Sequence, residues 1–137
     1  MIRKLSLSIA AACLVSIVPA RAEEVPKGSE VDKAYQVCLD AAIYPDASFA
    51  CIETASEAWD KILNANYKTA MDGLDPENQA LLRDAQRKWL AYRDADARFR
   101  AGNWTLDQGR DLQVILSDTG LQILRARAQA LEAYRPL

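Results

Sequence analysis

After residue 28 the apolar positions recur every three or four residues for most of the chain, and no stretch alternates as a strand would. Ser29 with Asp32 resembles a capping box, and Val31, Tyr35, Cys38 and Ala42 follow at helical spacing. Tyr44 precedes Pro45, which disfavours continuing that helix, and Asp46 is suited to cap the next. Phe49, Ile52, Ala55, Trp59, Ile62, Leu63, Tyr67, Ala70, Met71 and Leu74 then predict one long amphipathic helix that stops near Asp72-Gly73. Asp75-Pro76-Glu77 reads as a cap, a proline at the first helical position and an acid in the first turn. The third helix carries Leu82, Ala85, Trp89, Tyr92 and Phe99 on one side and ends near Gly102. Thr105 and Gln108 form a second capping-box pattern, and a last helix reaches about Tyr134, although Gly109 and Gly120 interrupt it. Four helices with short connections imply an all-α fold, a small antiparallel four-helix bundle.

The first residues follow a different pattern. Arg3 and Lys4 precede an uncharged apolar run from Leu5 to Ala20, and Ala20-Arg21-Ala22 puts small residues three and one before a cut at Glu23. That is the layout of a secretory signal peptide, so residues 1–22 are expected to be removed and 23–137 to form one domain. The run falls short of the roughly 20 residues a spanning helix needs, so no membrane span is expected after cleavage. Cys13 is a poor lipid-attachment site, because Ala10-Ala11-Ala12 lacks the usual large apolar residue. The destination is periplasmic or secreted.

Export changes how the cysteines read. Only Cys38 and Cys51 remain after cleavage, an even count in an oxidising compartment. They flank Tyr44-Pro45 symmetrically, so a helical hairpin turning there brings the sulfurs face to face, with small alanines around them. One disulfide across the first hairpin is expected.

Charge narrows the partners. The chain has 17 basic and 19 acidic residues; without Arg3, Lys4 and Arg21 the exported form keeps 14 against 19. Residues 23–82 hold 4 basic and 12 acidic side chains, and residues 83–137 hold 10 and 7. An acidic first half argues against nucleic acid and suits a basic protein.

One stretch is more specific than helical periodicity. Asp60-x-x-Leu63-Asn64-x-x-Tyr67, a short gap through Leu74-Asp75-Pro76, and Gln86-x-x-Trp89-x-x-x-Arg93-Asp94 together resemble the LprI-like lysozyme-inhibitor family over roughly residues 34–131. The resemblance implies a helical fold, an envelope setting and a protein partner, with lysozyme as the lead. Many relatives place a cysteine where Ala97 stands, with its partner near Val114 or Ile115; both are absent here, and Gln122 stands where the usual arginine follows Thr119.

Asp60, Asn64 and Tyr67 share one helix face, as do Gln86, Trp89 and Arg93. A hairpin turning near residues 73–75 lets Asn64 meet Gln86 and puts Asp60 within reach of Arg93. A buried polar network that fixes helix register, with Trp89 in the core, is the preferred role; direct contact with a ligand is the other.

Catalysis finds little footing. The chain has no histidine, which removes the commonest general base and metal ligand, and no Gly-rich phosphate loop or serine elbow occurs. No cofactor or metal is expected. A histidine-free helical enzyme such as secreted chorismate mutase grips a dicarboxylate with basic side chains, but Arg83, Arg87, Lys88, Arg93, Arg98 and Arg100 are expected to point around their helix. The chain reads as an exported binding protein that occludes the cleft of a lysozyme, or otherwise binds another cell-wall enzyme or a secreted effector.

Overall fold

The computed structural model describes residues 24–134. The proposed signal peptide, residues 1–22, lies outside them. Every regular element among the described residues is a helix: α1 (Gly28–Ala41), α2 (Pro45–Asp72), α3 (Pro76–Arg100), a 3-10 helix η1 (Asn103–Gln108) and α4 (Arg110–Ala133).

The long helices lie where the periodicity put them, but their starts differ. The Lys27 carbonyl accepts from the N–H groups of Glu30 and Val31, so Lys27 is the N-cap of α1 and Ser29 sits inside the first turn. Pro45 occupies the first position of α2, with Tyr44 as N-cap, and Asp46 becomes a first-turn acid that pairs with Arg110. Asp75 does cap α3, accepting from the Asn78 N–H at 2.9 Å. That bond is the main reason its carboxyl is held below the usual range. Thr105 caps no helix; its hydroxyl, within η1, donates back to the carbonyl of Gly102 just before it. Gly109, at φ +86°, is the hinge from which α4 starts, a conformation glycine adopts without strain.

The core lies between α2 and α4. Ile52, Ala55, Trp59, Ile62, Leu63 and Ala70 pack with Leu121, Leu124, Ala128 and Leu131, and Val31 and Leu82 close it from α1 and α3. Ala70 and Ala128 are fully buried, and the Asn66 side chain donates to the Ala128 carbonyl at 3.0 Å. Small side chains at this crossing let the two helices come close enough for that bond.

Packing is uneven. On α3 only Leu82 and Gln86 are buried. Tyr92 and Phe99, expected on the core side with Ala85, are exposed at 55% and 64%, and Ala85 is exposed too. Phe99 stacks on Trp104 instead, with ring centroids 5.1 Å apart. No helix among the described residues is long and apolar enough to cross a membrane.

Candidate functional site

The motif residues converge on one surface. Asp60, Leu63, Asn64 and Tyr67 from α2 and Gln86 and Arg93 from α3 line a groove of about 480 Å³, together with Arg83, Arg87 and Leu90. Trp89 lies half-buried against the core, and Asp94 is exposed.

The partners inside the groove are not those the hairpin geometry predicts. Asn64 Nδ2 donates to Asp60 Oδ2 at 2.9 Å, one turn away on the same helix, and not to Gln86. The Gln86 carboxamide oxygen accepts from Arg127 Nε of α4 at 2.9 Å. Arg93 binds its neighbour Asp94 through Nε and Nη2 and leaves Asp60 alone. The reason is the third helix at this junction: Arg127 takes the amide oxygen, and exposed carboxylates satisfy the nearest donors. Trp89 has Arg93 at 5.4 Å and Arg127 at 5.9 Å from its ring, so it serves as a platform for two guanidinium groups as well as a core contact.

Arg83, Arg87 and Arg93 line the groove, whereas Lys88, Arg98 and Arg100 do not, so the six cations are not gathered on one side. Arg87 is nonetheless paired with Asp84 and Arg93 with Asp94. Among the described residues no group of three His, Cys, Asp or Glu side chains could hold a metal ion.

A second surface lies where the α1–α2 turn meets the start of α4. Cys38 and Cys51 are bonded, with Cα atoms 5.8 Å apart, and close the α1–α2 hairpin behind the turn. Beyond the bond, Ile43 is 82% exposed and Tyr44 72%. They flank a shallow depression shared with Pro45, Val114 and Ile115. Arg110 ties the two segments together by pairing with Asp46 and by lying 4.9 Å over the Phe49 ring. Sequence reading identified the turn but not its apolar character as a surface. The adjacent Ile43 and Tyr44 at a helix break were the available signal.

The model of one family, described as lysozyme inhibitor LprI, matches residues 38–131. The chain belongs to the LprI lysozyme-inhibitor family. No curated protein matches the chain, and no solved structure does. The matched span holds both cysteines of the disulfide and both halves of the motif. An LprI protein is lysozyme-inhibitor-like and works by binding another protein.

Where this LprI member lacks the second cysteine pair, other bonds hold its C-terminal helix. Arg100 binds Asp96 at 2.7 Å and donates to the Leu116 carbonyl at 2.8 Å, which ties the end of α3 to α4 close to Ala97. Gly120 makes room for it: a Cβ there would lie 2.6 Å from Arg100 Nη1. Gln122 bridges Asp118, at 3.2 Å, and Arg125, at 3.3 Å. Arg125 also pairs with Asp32 at 2.6 Å and lies 5.7 Å over Trp59, which fastens α1 to α4. These α1–α4 ties were not foreseen, because Asp32 reads locally as half of a capping box and nothing local to Arg125 distinguishes it from solvated charge.

Proposed function

We propose that this protein is exported and inhibits a lysozyme by occluding its sugar-binding cleft. The observation that carries the reading is the LprI match across residues 38–131. In this reading residues 1–22 are removed, and residues 23–137 act as one domain laid out as an antiparallel four-helix bundle. The Cys38–Cys51 bond supports export, since such bonds persist in oxidising compartments.

Charge supports the choice of a cationic enzyme. Glu53, Glu57 and Asp60 form an exposed column along α2, and no ion pair among the described residues engages them. Such a stripe accelerates encounter with a basic partner more than it tightens the final complex. The motif residues keep the structural role in this proposal: Gln86 and Arg127 hold α3 to α4, and Trp89 carries the guanidinium groups of Arg93 and Arg127.

The test is loss of turbidity of a cell-wall suspension, with purified protein added to several lysozyme classes and salt controls for each enzyme alone. Inhibition is expected, and it should weaken with salt as the Debye length falls from about 10 Å at 0.1 M to about 3 Å at 1 M. No inhibition at large molar excess rejects lysozyme and leaves another envelope protein as the partner.

A further inference from the structure

We infer that the apolar tip beyond the disulfide, centred on Ile43 and Tyr44, is the part of the protein that enters the enzyme's cleft. This rests on the lysozyme reading above and adds to it the contacting residues.

Ile43 and Tyr44 are the most exposed large apolar side chains among the described residues. Leaving them in water forgoes burial that the fold could have used, and clustered apolar exposure marks a binding surface. They do not stand alone. Ile115, 60% exposed, and Val114 border the same depression from α4.

The tip is also pre-shaped. The disulfide joins the helices on either side of the turn, and Arg110 clips α4 to the start of α2. A turn held in one conformation before contact loses less entropy on binding than a free loop does. A tyrosine beside an aliphatic residue is the combination that anchors interfaces, and a flat ring offers the face that a sugar-binding cleft receives.

Charge selects the occupant. Asp40, Asp46 and Asp111 are exposed at or beside the tip, against Arg110, which pairs with Asp46. An acidic rim suits a cationic enzyme. It opposes pairing with a second copy through the same end, and it opposes an anionic bilayer.

The experiment compares the full exported protein with the double variant Ile43→Ser/Tyr44→Ser, and with Leu81→Ser, another exposed apolar residue, in the first half of α3. The double variant should keep its melting temperature and raise the inhibition constant by roughly thirtyfold or more, as loss of a central anchor does. Leu81→Ser should inhibit like the wild type. A double variant that folds and inhibits normally overturns the tip assignment while the lysozyme reading stands. A wild-type protein that inhibits no lysozyme overturns both. Sedimentation showing a dimer that the double variant abolishes, or vesicle binding that it abolishes, with inhibition unchanged, makes the tip a self-contact or a lipid contact and likewise overturns the assignment.

Discussion

The Tyr35 hydroxyl donates a 2.7 Å hydrogen bond to Asp118 Oδ1, joining α1 to α4 across 83 positions of chain. Burial, and then the Asp118 carboxylate as acceptor and as a nearby negative charge, push the Tyr35 pKa well above the usual phenol range. The folded state therefore holds this proton more tightly than the unfolded chain, where tyrosine ionises near pH 10. The stabilisation is fully present below about pH 10 and is lost as the pH climbs from there towards the folded value. Tyr35→Phe should lower stability by about 1 kcal/mol at neutral pH, and the gap should close in strongly alkaline buffer. Urea melts of both proteins between pH 7 and pH 11 check this; a gap that does not change with pH would contradict the bond.

Removing the disulfide should weaken the fold without erasing it. Closing a loop of this size contributes about 3 kcal/mol in the chain-entropy account, so Cys38→Ser/Cys51→Ser should lose about that much in denaturant unfolding. Non-reducing peptide mass spectrometry of the wild type should recover the linked pair, and two free thiols on native protein would refute it.

The two motif-region tryptophans should differ. Trp59 is 4% exposed at the centre of the core, whereas Trp89 is half-buried beneath two arginines. Trp59→Ala should cost roughly 3–5 kcal/mol and Trp89→Ala about half of that. Equal losses would mean Trp89 is as much a core residue as Trp59.

Gln86 and Arg127 should be coupled. Arg127→Ala leaves a buried amide oxygen without its donor, a change worth about 1–3 kcal/mol. A double-mutant cycle with Gln86→Ala should return an interaction energy of about 1 kcal/mol, and simple additivity would deny the contact.

Charge reversal along α2 tests steering separately from docking. Glu53→Lys/Glu57→Lys should slow association with an inhibited lysozyme, and little should change in dissociation, since rim charges act on encounter. Asp72 is a weaker choice for reversal because Lys68 pairs with it at 2.6 Å. Surface plasmon resonance at two ionic strengths separates the rates.

The four long helices, the turns at Pro45 and Gly73, the Asp75 cap and the Cys38–Cys51 pair were legible in the amino-acid sequence, whereas the 3-10 helix η1 reads there as the start of the last helix. Each depends on residues within a few turns of one another, and helical periodicity and turn chemistry are properties of that local range. The motif positions could likewise be placed on two helices, and six of the eight line one groove, Trp89 and Asp94 lying outside it. Their partners could not be read, because Gln86 bonds to Arg127 only once α4 has been brought against α3, and no spacing within either helix announces it. The same holds for Tyr35 with Asp118 and Asp32 with Arg125, which lie 83 and 93 positions apart. Tyr92 and Phe99 have the spacing of core residues but face solvent, because α4, not α3, takes the long contact with α2. Periodicity says which face of a helix is apolar; only the packing of the other helices decides whether that face is covered, and at Ile43 and Tyr44 it left the apolar surface exposed.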